Sequence, residues 1–205
     1  MKYEIYELTS EETVKIPIPE NFRDCLMLIK SDFFRVYGRI VSNAFILKKM
    51  LWHPFVSTLI WFRLSNYGGK RKSFYLCRLL YRVCCSRNCI AFPFTTKVGY
   101  GLYIGHGISF VINNSAIIGN NVNISHFTSI GANTSSAAII GDCVYVGPQS
   151  CLIENIHIGH KSIIGAGAIV TKDVPANTIA IGVPAKLACN RSQKSFINNP
   201  WTYSV

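Results

Sequence analysis

A branched aliphatic residue followed by a small one returns with a period of six along the second half of this sequence, between residues 98 and 171. This period differs from the 3.6 of a helix and the 2 of a strand. It suits a coil in which each repeat forms one short strand and one bend, so that stacked coils build three parallel sheets around an apolar core. The clearest copies are Val98-Gly99, Ile104-Gly105, Ile118-Gly119, Ile130-Gly131, Ile140-Gly141, Val146-Gly147, Ile158-Gly159 and Ile164-Gly165.

The distribution of glycine supports this repeat, because 12 of the 15 glycines lie between Val98 and Gly182. Two intervals depart from the period: Phe110 to Ile118 is two residues too long, and Ile130 to Ile140 is four too long. Insertions in a repeat protein leave the coil as loops and often carry function. We therefore predict a loop at each of these two places.

Positive charge is concentrated before the repeat. The net charge is +11, and the segment from Asn21 to Lys97 holds fourteen Lys or Arg against two acids, Asp24 and Asp32. Because aromatic residues are interleaved with these bases, the segment suits either an anionic membrane surface or an anionic acceptor, or it is simply a solvated basic face over an aromatic core. No nucleic-acid-binding fold is recognisable, and we predict no nucleic-acid partner.

This basic segment reads as a helical unit. Residues 1–20 suggest an extended lead-in, followed by a first helix that opens at Glu20 or Asn21 and ends at Gly38. The pattern predicts three more helices, over Val41–Leu51, from Pro54 to about Gly68, and from a Ser73 cap onward. The apolar face of the last helix is expected to be Leu76, Leu79, Leu80, Val83 and Cys84. We predict a helical unit over residues 1–90, a coil domain over 91–186 and a tail over 187–205.

The sequence favours a cytoplasmic protein, with the inner face of the membrane as a possible place of contact. Its start is acidic where a secretory signal would be basic and then apolar. The longest apolar run, Met50 to Phe62, is interrupted by His53-Pro54 and is too short to span a bilayer. The eight cysteines show no C-x2-C spacing, so we expect reduced thiols and no metal site.

Two long strings in the repeat resemble a known family. They are similar to the hexapeptide-repeat acyltransferases, and within them to the serine O-acetyltransferase-like branch, over about half of the chain. The resemblance implies a mainly β fold, a left-handed parallel β-helix with an N-terminal α-helical unit. It also implies acetyl-CoA as co-substrate and a homotrimer with active sites between neighbouring β-helices. The strings are GLYIGHGISFVINNSAIIGNNVNISHFTSIG and IIGDCVYVGPQSCLIENIHIGHKSIIGAGAIVTKDVPANTIAIGVPAK.

Acyl transfer to a hydroxyl needs a base, and histidine is the best base near neutral pH. His106 lies between two glycines, which favours close approach of a ligand, and it matches the family's catalytic histidine. His126 lies one coil further on and is the second catalytic candidate. The other histidines, His53, His157 and His160, are expected to be solvated or structural.

The resemblance also assigns the binding residues. It places acetyl-CoA along the C-terminal coils, where a Gly-Ala-Gly sequence leaves room for the pantetheine arm and basic side chains meet the phosphates. The predicted donor-binding residues are Gly147, Gly165, Ala166, Thr171, Lys172 and Lys186. The predicted acceptor-binding residues are Asn113 and Asn114, whose amides offer hydrogen bonds near the two histidines, and Asp32, by a looser match to an acid of the family's helical domain.

Three departures from the family pattern bear on the acceptor. Gly105 and Ala91 stand where the family has aspartates, and Ala137 aligns near a second histidine. An ammonium group needs a compensating charge when it is buried. We therefore predict a sugar hydroxyl of surface polysaccharide biosynthesis, free or lipid-linked, as the acceptor. The alternatives are serine O-acetylation in cysteine biosynthesis and a non-catalytic protein that binds membrane surfaces.

Overall fold

The computed structural model describes residues 1–52, 54–68, 71–189 and 195–202. In these residues a hairpin is followed by helices and then by a long series of short strands. The hairpin strands are β1 (Lys2–Glu7) and β2 (Thr13–Ile18). The helices are α1 (Phe22–Tyr37), α2 (Asn43–Trp52), α3 (Pro54–Gly68) and α4 (Tyr75–Arg87), with a 3₁₀ turn, Lys72–Phe74, directly before α4.

The remaining strands are two to four residues long. They are β3 (Lys97–Val98), β4 (Tyr103–Ile104), β5 (Val111–Ile112), β6 (Ile117–Ile118), β7 (Asn123–Ile124), β8 (Ser129–Gly131), β9 (Ile139–Ile140), β10 (Tyr145–Val146), β11 (Cys151–Ile153), β12 (His157–Ile158), β13 (Ile163–Ile164), β14 (Ile169–Val170), β15 (Thr178–Ile181) and β16 (Lys186–Cys189).

Every third strand of the coil belongs to the same sheet. The first sheet contains β3, β6, β9 and β12, and the third contains β5, β8, β11 and β14. The second contains β4, β7, β10, β13 and β15, extended by β16, and all pairs in the coil are parallel except that between β15 and β16. The chain thus forms a left-handed β-helix of about four turns, which confirms the predicted fold class.

The core of the coil is a set of stacked aliphatic side chains. In the second sheet, Ile104, Ile124, Val146 and Ile164 lie directly above one another, and none is more than 3% exposed. Branched side chains suit this position because they pack well on a pleated surface. Since each turn repeats the same inward position, one apolar column runs the length of the coil.

The structure confirms one predicted insertion and relocates the other. The four additional residues between Ile130 and Ile140 form a loop between β8 and β9. The two additional residues assigned after Phe110 instead precede it, because Tyr103 pairs with Asn123 and Val111 with Ser129. The prediction was wrong about this position, since Phe110 and Ile112 are both buried and either could have been taken as the repeating residue.

The helices cover the first turn of the coil. Phe62 of α3 stacks on Phe92 with ring centroids 4.4 Å apart, and Phe92 in turn contacts Phe110 inside the coil. The predicted limits of α1 are confirmed: the Asn21 side chain accepts a hydrogen bond from the Asp24 amide, and Gly38 ends the helix in a left-handed conformation. The apolar core therefore continues from the coil into the helices.

Three local predictions were wrong. Residues 1–20 contain the hairpin of β1 and β2, whose buried residues pack against Ile117 and Ile139 of the first sheet. Ser73 lies in the 3₁₀ turn, and α4 has no side-chain cap. The apolar face predicted for α4 is largely exposed, because the helix packs through Tyr81 and its neighbours instead.

A buried ion pair ties the helices to the coil. Arg63 of α3 donates two hydrogen bonds to Asp32 of α1, at 2.8 and 2.9 Å, and two more to the carbonyls of Val98 and Gly99. Asp32 also accepts a hydrogen bond from the amide of Leu102, at 2.8 Å. Both charged side chains are at most 2% exposed, so each group depends on the others for its polar partners.

The C-terminal segment packs on the second sheet. The carbonyl of Asn198 accepts a hydrogen bond from the buried Arg35, and the amide of Trp201 donates to Asn121. Arg35 also donates to Gly101 and Asn123, and burial lowers its pKa to about 10. The predicted division at residues 90 and 186 stays a prediction, although β16 crosses the second of these boundaries. No helix in the described ranges is long and apolar enough to cross a bilayer.

We expect Asp32→Asn to lower the free energy of unfolding by roughly 3–5 kcal/mol, because it leaves the buried Arg63 guanidinium without its counter-charge. Glu4→Gln is the matched control. Glu4 pairs with Lys97 at 2.9 Å, but both side chains are about 40% exposed, and such pairs contribute about 1 kcal/mol or less. Urea denaturation at one fixed protein concentration measures both, and equal losses in the two variants would contradict the structural role of Asp32.

Candidate functional site

One corner of the coil gathers most of the residues predicted to act in catalysis. Four successive turns bend there between the second and third sheets, and we call these bends the histidine corner: Gly105–Gly107, Ser125–Phe127, Gly147–Gln149 and Gly165–Gly167. Parallel strands lie about 4.8 Å apart, so the corner extends roughly 14 Å from the first bend to the fourth. It places both candidate histidines in line with three of the candidate donor-binding residues.

The two-residue insertion lies at the first bend of the histidine corner and carries His106. The backbone of His106 is in the left-handed region at φ 62°, and Gly107 and Ser109 follow at 55° and 49°. A left-handed conformation is uncommon outside glycine and costs free energy, so it persists only where surrounding contacts hold it. The insertion leaves the His106 side chain exposed at the outer edge of the corner.

His126 occupies the next bend and contacts His106. The two ring centroids are 5.0 Å apart and the ring planes meet at 87°, an edge-to-face arrangement. Within the part of the chain that the structure describes, the buried Nδ1 of His126 has no hydrogen-bond partner. A buried polar atom of this kind normally needs a partner. His126 is therefore suited to receive a hydrogen bond from a ligand or from another chain.

Exposed apolar side chains flank this histidine pair, and the sequence analysis missed them. Ile108, Val111 and Phe127 are 44%, 50% and 51% exposed, and the Phe127 ring lies edge-to-face with His126 at 5.4 Å. Exposed apolar groups that cluster around polar ones are a mark of binding surfaces. For Ile108 and Phe127, the detectable signal was a large apolar residue at a bend, where the later bends of this corner have Gly, Pro, Gln or Ala.

The glycines of the lower bends have different roles. A Cβ on Gly147 would lie 2.7 to 2.9 Å from backbone atoms of the bend below, so coil stacking itself requires this glycine. A Cβ on Gly165 would collide with the side chain of Ile181, at 2.6 Å, and would lie no closer than 3.5 Å to the backbone. Ala166 is exposed, and Gly167, at φ 69°, has open space around it. The room for a ligand is therefore at Ala166 and Gly167.

The three polar residues predicted to bind the donor lie in two different places. Lys186 is exposed and pairs with Ile181 at the end of the second sheet, directly below the histidine corner. Thr171 and Lys172 are exposed too, but they follow β14 at the far end of the third sheet. A strand and its bends place them roughly 15 Å from the corner. Only a long ligand can reach from the corner to both lysines.

The candidate acceptor-binding residues lie away from the two histidines of the same chain. Asn113 and Asn114 follow β5 at the far end of the third sheet, where Asn113 bonds Ser115 and Asn114 bonds Thr95. The prediction for Asp32 is corrected, because its carboxylate is buried and occupied by Arg63 and Leu102. Asp32 is a structural residue that joins the helices to the coil.

The histidine corner lacks acidic residues of its own. None of the ten acids of the chain lies between residues 91 and 141. The acids of the later turns have other contacts: Asp142 accepts from Asn120, Glu154 from the Asn133 amide, and Asp173 from the His157 amide. The hydrogen bonds that Glu154 accepts lower the pKa of its carboxyl.

The remaining histidines have local contacts. His160 Nδ1 accepts a hydrogen bond from the Asp142 amide, and His157 lies 3.4 Å from Asp173. His53 lies outside the described residues. Across the described residues, no group of three or more His, Cys, Asp or Glu is arranged to hold a metal ion.

Comparison with known proteins identifies the family. No family model matches the chain. The serine acetyltransferase of Helicobacter pylori strain J99 is 30% identical over 141 residues, which are 67% of this chain and 82% of the relative.

The chain belongs to the serine acetyltransferase family.

The other relatives extend this finding. Mitochondrial serine acetyltransferase 3 of Arabidopsis thaliana is 41% identical over 95 residues, which are 44% of this chain but 24% of that protein. The chain thus spans about a quarter of the length of this plant relative. The crystal structure of the Neisseria gonorrhoeae serine acetyltransferase superposes with a TM-score of 0.69 at 26% identity, over 82% of this chain and 66% of that one.

The stacking role of Gly147 is testable. We expect Gly147→Ala to lower the free energy of unfolding by about 1–3 kcal/mol, because the added methyl would collide with backbone atoms of the bend below. Gly131→Ala is the control, since a Cβ there meets nothing within 4 Å. We expect the control to stay within about 0.5 kcal/mol of the parent. A Gly147→Ala protein as stable as the Gly131→Ala protein would show that the coil does not require this glycine.

Proposed function

We propose that this protein transfers the acetyl group of acetyl-CoA to a hydroxyl, with His106 as the general base. The observation that carries the proposal is the histidine pair: a two-residue insertion holds His106 exposed against His126 at one end of the histidine corner. Membership of the serine acetyltransferase family supports the same reaction class. Histidine is the side chain best suited to accept a hydroxyl proton at neutral pH.

In this mechanism His106 removes the proton as the hydroxyl oxygen attacks the thioester carbonyl carbon. The new C–O bond forms, the C–S bond breaks, and the thiolate of coenzyme A takes the proton from His106 and leaves as the thiol, which regenerates the base. His126 acts as a positioning residue, because its ring packs against that of His106 and restricts its orientation. This role matters because a general base must first lie within hydrogen-bond reach of the hydroxyl, whatever its pKa.

The donor is proposed to lie along the histidine corner. Open space at Gly167 and the exposed Ala166 leave room for its narrow arm, and Lys186 lies beside the end of the corner. Lys172 is within reach of a long ligand only. We propose both lysines as contacts for the phosphates of the donor. Gly147 and Gly165 are proposed to form the surface of the bends against which the donor lies.

A homotrimer is proposed as the working state. The exposed Ile108, Val111 and Phe127 beside the histidine pair would be covered if a second subunit packed at this corner. Such packing would exclude water from the reacting groups, which strengthens electrostatic interactions inside the site. The seven cysteines whose side chains the structure describes are free thiols, which suits our proposal that the protein works in the reducing cytoplasm.

L-Serine is the proposed acceptor. The departures of the sequence from the family pattern favoured a sugar hydroxyl over serine. The relatives favour the reverse order, since each one named above is a serine acetyltransferase. A sugar hydroxyl remains the second candidate because of one observation. The chain has no acid between residues 91 and 141, and Asp32 is committed to Arg63, so a serine ammonium has no partner from these residues.

We expect His106→Ala to lower kcat for acetyl transfer by about 10²–10⁴, the usual contribution of a positioned base. His157→Ala is the control, because His157 lies on the first sheet, away from the histidine corner. Release of the coenzyme A thiol measures both, and sedimentation confirms that the assembly is unchanged. Equal activity of the His106→Ala and parent proteins would exclude His106 as the base.

The acceptor is tested by comparing kcat/KM for L-serine and for nucleotide-linked sugars with the same donor. We expect serine to reach about 10⁴ M⁻¹s⁻¹ or more and to exceed the sugars. Gly105→Asp sharpens the test, since a Cβ at Gly105 meets nothing closer than 3.8 Å. The added carboxylate beside His106 should raise kcat/KM for serine and not for sugars. If the parent protein prefers the sugars, the acceptor is a sugar hydroxyl and not serine.

A further inference from the structure

Helix α4 presents an apolar ridge to solvent. Leu76, Leu79 and Val83 are 62%, 46% and 45% exposed, and Tyr75 at the start of the helix is 67% exposed. Their spacing of three and four residues places Leu76, Leu79 and Val83 on one stripe of the helix. The opposite side holds Tyr81, which is 4% exposed and packs on Phe62 of α3. The helix is therefore attached by one side and apolar on the other.

Basic side chains border this ridge. Arg82 lies along one flank of the stripe, next to Leu79, and Arg87 ends the helix beside the stripe. The preceding turn adds Arg71 and Lys72, both exposed. No acid occurs between residues 33 and 141, so none from the helix or from its neighbours in sequence offsets these charges. A helix with an apolar stripe and a basic flank is the arrangement that binds at a lipid–water interface.

The charge around the ridge also discriminates between possible occupants. A second copy of the chain docked through the same ridge in a two-fold arrangement would bring each arginine flank close to its own equivalent. Like charges that face each other across an interface oppose association. An anionic bilayer instead offers hydrocarbon to the leucines and phosphate groups to the arginines at the same time.

We propose that the exposed face of α4 docks the protein on anionic lipid bilayers, with Leu76, Leu79 and Val83 inserted among the lipids and the flanking arginines on the head groups. Helix α2, which packs on α3, has a similar combination at its end, where Leu51 and Trp52 are 72% and 80% exposed after Lys48 and Lys49. Tryptophan favours the head-group level of a bilayer. This docking is independent of acetyl transfer, and its test measures no activity.

The experiment is co-sedimentation of the full chain with vesicles of phosphatidylcholine, either alone or with about a third phosphatidylglycerol. We expect binding to the anionic vesicles to be at least about tenfold tighter, because each basic residue near the surface contributes about fivefold. Raising the salt from about 0.1 M to about 1 M should weaken this binding, since screening shortens from ~10 Å to ~3 Å.

Two pairs of variants separate the apolar and the electrostatic contributions. Leu76→Ser/Leu79→Ser should weaken vesicle binding by about tenfold or more, whereas the control Ile5→Ser/Phe22→Ser, at 62% and 58% exposure, should not. Arg82→Glu/Arg87→Glu should weaken binding more than Lys15→Glu/Arg23→Glu, which changes the net charge equally at exposed sites elsewhere.

Three results would overturn the proposal. One is equal or absent binding to the two kinds of vesicle. Another is full binding by the Leu76→Ser/Leu79→Ser protein. The third is self-association that depends on protein concentration and disappears in that same variant while vesicles are not bound, which would make the ridge a contact between copies of this chain.

Discussion

The vertical stacking of equivalent positions is the constraint on which the structure depends. Each turn places an aliphatic side chain directly above the one before it, as for Ile104, Ile124, Val146 and Ile164, and the backbone of one bend touches that of the next. The coil accepts extra residues only where they can leave it, at the bends. Its two insertions are therefore its two loops, and the histidine pair occurs at one of them.

Stacking also explains how residues far apart in sequence form one site. His106, His126 and Ala166 are separated by 20 and 40 residues, yet each lies at a bend of the same corner. The helices contribute to this site indirectly, since the Asp32–Arg63 pair and the aromatic stack of Phe62 on Phe92 fix the first turn, where His106 lies. The catalytic proposal thus depends on packing that starts outside the coil.

The six-residue period predicted the coil, its bends and its three parallel sheets, because each follows from the repeat alone. Three features did not follow. The first insertion was misplaced since Phe110 and Ile112 are both buried. The exposure of the apolar face of α4 did not follow either, since periodicity does not show which face is covered. Asp32 was assigned to the acceptor because only the three-dimensional contact with Arg63 shows that its carboxylate is occupied.

The most direct test of the account is a crystal structure of the protein with coenzyme A and L-serine bound. The account predicts the sulfur end of the cofactor at the histidine corner, and the serine hydroxyl about 2.6–3.2 Å from a ring nitrogen of His106. Density for both ligands away from this corner, for example in the groove of about 690 Å³ lined by Tyr3, Tyr100, Asp142 and His160, would contradict it.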